Sequence, residues 1–262
     1  MIRIDCRDIS GDPGASAQIR EAHDCLATHG YAILDHVLPE VQIGSLKAEF
    51  DDRHARYHQD WELDATAKVG NRRYLVPLDL SGGFGNPSVF ANPIVMALVR
   101  EALQPEAVLE AFGVIVSLPG SKAQHLHSDS PPLFDHRISP LLPAYALNFG
   151  LPLVEMNATY GTTELFPGSH RRPPSDDAVA EAPTIPPGSC ILWDFRLFHR
   201  GTPNSSGIIR PLIYAAYARP WYRDPVNYDK ARYRRLSFAP EFLAGLSDDN
   251  RRLFAHVAPA AT

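Results

Sequence analysis

The residues best suited to chemistry lie in Gln124-His-Leu-His127-Ser-Asp129. Alternate side chains of extended backbone project to one face, so His127 and Asp129 should point together. A third donor must come from elsewhere in the fold. His199 stands out for this, within Trp193-Asp-Phe-Arg-Leu-Phe-His199-Arg-Gly201, after a stretch that a Pro-Gly turn introduces. Two imidazoles and one carboxylate make a facial triad that leaves three positions open on one side of a divalent ion, and Fe(II) is the metal that exploits this. His125 shares the face of His127 under the same alternation, so spacing alone leaves it open as an alternative ligand. His170, in Pro167-Gly-Ser-His-Arg171, is another imidazole that chemistry alone would admit.

Arg210 follows His199 by eleven residues and opens the apolar run RPLIYAAYARP. A guanidinium near a metal is a natural fork for the far carboxylate of a keto acid whose other end chelates the ion. Thr202 is a candidate second donor to that carboxylate, and Gln124 a candidate contact to co-substrate or substrate. Substrate walls are expected from the loop 71–90, the segment 130–135 and the end of the Arg210 run. These place Arg72, Arg73, Tyr74, Phe134, Arg219 and Trp221 near the substrate, the arginines hinting at an anionic group on it. Taken singly, each such arginine reads as a solvated charge and each aromatic as core. The ordered occurrence of His127, Asp129, His199 and Arg210 is what favours function.

Positioning these groups requires a framework. Ile19, Ala22, Cys25 and Leu26 recur at helical spacing, so residues 16–30 read as a helix with Gly30 as its C-terminal cap. A short strand at Tyr31–Leu34 and a helix from Pro39 to about Gln59 follow. Residues 69–93, rich in Gly, Pro and Asn, read as a long ordered loop, and Pro93–Leu103 as a helix. After Gln104 the pattern changes to short β segments: Ala111–Leu118, Tyr145–Val154, Thr162–Phe166, Cys190–Phe195 and Leu212–Ala218. Pro-Gly turns punctuate them, which is the cadence of a sandwich or barrel. The tail 238–257 carries a last helix with SDDN at its centre. No dinucleotide-binding or phosphate-binding glycine loop occurs.

Composition sets the bounds. The chain has 262 residues, 45% hydrophobic and 21% charged, which suits a folded globular protein. Net charge is −5, with Lys and Arg scattered, so neither nucleic acid nor an anionic membrane is an expected partner; a small molecule is. Cys6, Cys25 and Cys190 give neither a disulfide framework nor a metal pair. The N-terminus has no apolar signal segment and no stretch approaches a membrane span, so a cytoplasmic protein is expected.

Three motifs in order, Gln124–Asp129, Gly161–Arg171 (GTTELFPGSHR) and His199–Arg210 (HRGTPNSSGIIR), resemble the phytanoyl-CoA dioxygenase family of Fe(II)/2-oxoglutarate oxygenases. The family pattern runs Q-x-x-H-x-D, then N-G-x-x-x-x-x-P-G-S-H-R, then H-R-G-x-x-N-x-S-x-x-x-R. The resemblance implies a mainly β fold, a double-stranded β-helix or cupin-like jelly roll with N-terminal and flanking α-helices. It would form one oxygenase domain over 1–262: a helical layer and lid loop (1–104), a jelly-roll core (105–222) and a C-terminal extension (223–262). It also implies metal ligands His127, Asp129 and His199, with Fe(II), 2-oxoglutarate and O2 as cofactors and co-substrates. His170 would then sit in a structural turn. The expected activity is oxidation of a C–H bond of a small organic molecule, such as a secondary-metabolite intermediate, with release of succinate and CO2. One departure is that Asn157 stands four residues before Gly161 rather than beside it. Asp129 stands where halogenating relatives carry a small residue, which favours hydroxylation. A cupin-like Zn or Mn hydrolase or isomerase using the same His/Asp/His set is the alternative, against which Arg210 argues.

Alanine at His127, Asp129 or His199 is therefore expected to abolish succinate formation while the chain stays folded, even where some iron stays bound. Succinate assay and iron content after gel filtration check this, and loss of iron in His125→Ala would reassign the ligand.

Overall fold

The computed structural model describes residues 3–55, 57, 68–135, 137–227 and 235–257. After the short strand β1 (Arg3–Asp5), helix α1 (Ala17–His29) starts where Ser16 Oγ accepts the Ile19 amide at 3.1 Å. It stops at Gly30, whose φ of 86° is left-handed and open to glycine at no steric cost. The chain passes at once into β2 (Tyr31–Asp35), then α2 (Glu40–Arg53); the expected reach of this helix to Gln59 lies outside the described residues. After the short α3 (Pro87–Phe90), Asn92 accepts the Ile94 and Val95 amides to start α4 (Pro93–Ala102). The Asn92 amide also donates to Val37 O at 3.0 Å, tying helix start to the β2 exit.

The segment expected as a loop over 69–93 contains a hairpin instead, β3 (Lys68–Gly70) with β4 (Arg73–Pro77), turned through Arg72 at φ 52°. Its strand signal was hidden because β4 finds its main partner far along the chain, in β5 (Val108–Ser117). The remaining strands are β6 (Ala146–Pro152), β7 (Thr163–Leu165), β8 (Cys190–Asp194), β9 (His199–Gly201) and β10 (Arg210–Ala218). Eight form one sheet in the order β1-β2-β8-β6-β10-β5-β4-β3. Facing it, β7 pairs with β9, and isolated bridges at Ser121–Asn204, His127–His199 and Leu165–Glu181 extend this second layer. The two layers make the expected jelly roll.

Each face of the large sheet has its own core. Phe112, Val114, Phe149 and Tyr217 pack outward against Leu26, Phe50 and Val99 of the helical layer. Ile33, Ile191, Trp193, Leu212 and Tyr214 face inward with Leu165 of the small sheet. β5 is buried throughout but for Ile115, which is why it reads as an unbroken apolar run. Its buried Glu110 receives Arg223, Arg235 and the Asp224 amide, anchoring the C-terminal segment to the sheet. Among its described residues that segment holds two short helices, α5 (Pro240–Ala244) and α6 (Asp248–Arg252), rather than one. SDDN lies at the start of the second because Ser247 caps it. All three cysteines are free, and no helix among the described residues is long and apolar enough to cross a membrane.

Gly30 joins these layers at close quarters. A Cβ there would lie 2.6 Å from both His170 Nδ1 and Leu197 Cδ1. Gly30→Ala is expected to lose about 2 to 5 kcal/mol in urea unfolding, from left-handed strain of about 1–2 and overpacking of about 1–3. A change under ~0.5 kcal/mol would mean that the turn relaxes freely.

Candidate metal centre

Backbone pairing builds the site. His127 N donates to His199 O at 3.1 Å, and His199 N returns a bond to His127 O at 2.8 Å, so the two residues face each other across an antiparallel bridge. Their ring centroids are 4.5 Å apart. Gln124 N to Gly201 O (3.0 Å) and Asp129 N to Phe195 O (2.9 Å) hold the flanks of the same segment. The expected regular strand over 124–129 is thus an extended segment bridged at His127. It still turns His127 and Asp129 to one side, with Asp129 Oδ1 3.7 Å from His127 Nε2 and Oδ2 3.5 Å from His199 Nε2.

Both imidazoles are fixed in one tautomer. His127 Nδ1 lies 2.9 Å from His125 O, and His199 Nδ1 lies 2.9 Å from Leu197 O. A carbonyl only accepts, so each Nδ1 carries the hydrogen and each Nε2 presents a lone pair to the site. Burial, then the neighbouring His199, holds His127 below the usual histidine range, favouring the neutral form that binds metals. The Nε2 atoms and an Asp129 oxygen converge as a three-donor set, the one such cluster among the described residues. His125 contributes its carbonyl rather than its ring. His170 packs instead against the end of α1, Nε2 3.2 Å from Ala27 O, as a structural turn requires.

A cavity of about 310 Å³ opens beside the donors, lined by Val69, Leu75, Ile115, Gln124, His125, Ser128, Trp193, Tyr214, Val226 and Asn227. Sheet register carries its floor inward. Leu75, Ile115 and Leu212 form one row across β4, β5 and β10, and Arg73, Ser117 and Arg210 form another two residues along, on the same face. Arg210 is 2% exposed, and its Nε and Nη1 are buried with no hydrogen-bond partner. Arg73, 1% exposed, gives Nη1 to Gln124 Oε1 (3.1 Å) and Nη2 to Thr202 O (2.8 Å). Neither guanidinium meets a carboxylate among the described residues. Burial pushes Arg73 down to about 10; burial and the adjacent Arg73 push Arg210 down to about 9. Two desolvated like charges side by side call for an anion.

The other sequence candidates are placed as follows. Gln124 is fully engaged, accepting from Gly201 N (2.9 Å) as well as Arg73 and donating to Val69 O (3.0 Å). The Thr202 hydroxyl is bonded to Thr162, accepting from its amide at 2.7 Å and donating to its carbonyl at 3.2 Å. Both therefore shape the site through Arg73. Tyr74 packs in the helical-layer core against Tyr57, and Arg72 forms the hairpin turn. Arg219 braces Ala144 O (2.8 Å) and Gln104 (3.1 Å), while Phe134 and Trp221 are exposed. None of these five lines the cavity. Leu75, Ile115, Trp193, Tyr214 and Asn227 do. Of these, Tyr214 was findable as the residue four beyond Arg210, on the same strand face.

The fold is of the jelly-roll class, and the three-donor set could hold a divalent metal ion. The sequence model described as phytanoyl-CoA dioxygenase (PhyH) matches residues 26–212, and the chain belongs to that family. Dioxygenase trt7 of Aspergillus terreus is 26% identical over 200 residues, 73% of this chain and 70% of that protein. Among solved structures, EvdMO1 aligns with a TM-score of 0.60 at 20% identity over 77% of this chain, which spans 50% of EvdMO1's length. The epimerase SnoN, solved in complex with Fe3+, alpha ketoglutarate and nogalamycin RO, aligns at 0.55 and 17% identity over 84% of this chain and 95% of its own. At these identities the structures support the fold.

Arg210→Met is expected to raise the melting temperature of the ligand-free chain, because it removes a buried charge that lacks a counter-charge. The variant should also lose the stabilisation that 2-oxoglutarate with Mn(II) gives the wild type. That gain is about 2.7 kcal/mol at 100 times Kd, roughly 5 to 10 °C at this size. An equal ligand-induced shift in the variant would remove Arg210 from the site.

Proposed function

We propose that this protein is an Fe(II)- and 2-oxoglutarate-dependent oxygenase that oxidises a C–H bond of a small organic molecule. The observation that carries the reading is the unpaired Arg210 guanidinium, buried beside Arg73 one row along the sheet from Leu75 and Ile115, which line the cavity beside the three-donor cluster. The buried guanidinium argues against a hydrolase or isomerase on the same ligands, whose reaction does not itself require a dicarboxylic co-substrate. The donor chemistry fits Fe(II), and the orphaned guanidinium nitrogens fit a carboxylate.

In this reading His127, Asp129 and His199 hold the iron, and Arg210 fixes the distal carboxylate of 2-oxoglutarate, with Arg73 adding positive potential. When bound, iron and the keto acid supply the oxidation: one atom of O2 enters succinate as CO2 leaves, and the other enters the product. The chain's own task is placement and exclusion of water. Leu75, Ile115 and Trp193 give the cavity apolar walls, so a C–H bond rather than solvent meets the reactive face. SnoN's role in nogalamycin biosynthesis supports a secondary-metabolite substrate for this chain as well.

Aerobic incubation with Fe(II) and 2-oxoglutarate should form succinate and CO2 in equal amounts, slowly even without the organic substrate. Formation should stop in His199→Ala and fall at least tenfold in Arg210→Leu, from loss of a charge-assisted contact of about 2 to 5 kcal/mol. Succinate absent under all conditions, with activity instead on Zn or Mn alone, would establish the hydrolase or isomerase reading.

A further inference from the structure

Asn148 sits in the middle of β6, a strand whose seven residues are all buried. An amide there is costly unless its polar atoms are bonded. Its Nδ2 donates to Asp129 Oδ2, and its Oδ1 accepts from the hydroxyl of Tyr214 on the neighbouring strand. The carboxylate takes only a donor, so the amide is oriented one way and the Tyr214 hydroxyl must give its proton to Oδ1. Asp129 Oδ1, by contrast, has no hydrogen bond among the described residues and lies 3.7 Å from His127 Nε2. Oδ2, with the Asn148 bond in place, lies 3.5 Å from His199 Nε2.

We infer that Asn148, backed by Tyr214, is a positioning residue that keeps Asp129 a one-oxygen ligand by engaging Oδ2 in a hydrogen bond and leaving Oδ1 for the metal. The inference rests on the iron and 2-oxoglutarate reading above. With two imidazoles and one carboxylate oxygen on a six-coordinate ion, three positions stay open. A keto acid binding through two atoms takes two of them, and dioxygen needs the third. A carboxylate chelating through both oxygens would occupy that third position. The buried amide therefore guards the place that the co-reactant must enter, and it does so from a strand no sequence motif marks.

The test uses the metal-free full chain under anaerobic conditions, with Fe(II) binding measured by calorimetry. Nitric oxide serves as the dioxygen probe, read by electron paramagnetic resonance at saturating iron and 2-oxoglutarate. Asn148→Leu, which keeps the branched shape at Cγ, is expected to hold Fe(II) at least as tightly, because the freed Oδ2 adds a second bond, and to lose most of the nitric oxide signal per iron. Tyr214→Phe should lower that signal by a smaller factor, because Asn148 keeps its bond to Asp129. A wild-type nitric oxide signal in a folded Asn148→Leu overturns the inference. If circular dichroism shows Asn148→Leu unfolded, Tyr214→Phe decides alone, and an unchanged signal there overturns it. A wild-type chain that binds neither Fe(II) nor 2-oxoglutarate brings down the functional reading, and this inference with it. Binding of both by the wild type, alongside unaltered variants, sinks the role of Asn148 alone.

Discussion

Two reciprocal backbone hydrogen bonds, His127 to His199 and back, are the constraint on which the site rests. They set the register between the 124–129 segment and β9, and register decides which side chains share a face. A slip of one residue would turn His127 away from His199 and Asp129 with it. Everything near the metal position follows from this pairing: the converging Nε2 atoms, the carbonyls that fix each tautomer, and the reach of Asp129 toward Asn148. The bridge is short, yet it is held at both ends, by Gln124 on Gly201 and by Asp129 on Phe195. Ligands placed by backbone pairing need little help from loops to stay in register.

The second organising feature is the row of Arg73 and Arg210 on either side of Ser117. Burying two cations without an acid destabilises the empty fold, and the surroundings show how closely the chain accommodates them. At Gly201 a Cβ would fall 1.5 Å from Arg73 Nη1 and 2.7 Å from Gln124 Oε1, so only glycine lets β9 pass there. Gln124 and Thr202 then serve Arg73, through the side-chain amide of one and the main-chain carbonyl of the other. Polar residues flanking the metal motif are thus spent on holding a charge in place. That arrangement makes sense where a ligand brings the compensating negative charge.

Much of this was legible in the chain. Helical spacing with a Gly30 stop defined α1, and apolar runs between Pro-Gly turns marked β5, β6, β8 and β10 to within a few residues. The hairpin β3–β4 was not legible, because its strands are short and interrupted and β4 draws its stability from β5, about forty residues away. For the same reason Arg73 read as a surface charge. Nothing local distinguishes an arginine on a short edge hairpin from one buried beside a second arginine.

Residue type and order by themselves determined the donor set: His127 and Asp129 two apart, a later His199, and Arg210 at the head of an apolar strand. Alternation along extended backbone is a local rule, so it survives without knowledge of the fold. Only the tertiary structure decided which groups are spent and which remain available. It showed Gln124 and Thr202 satisfied by protein partners, left the Arg210 guanidinium without one, and placed Asn148 and Tyr214 behind Asp129. Hydrogen-bond satisfaction is a property of neighbours distant in sequence, and those neighbours exist only once the sheets have closed on each other.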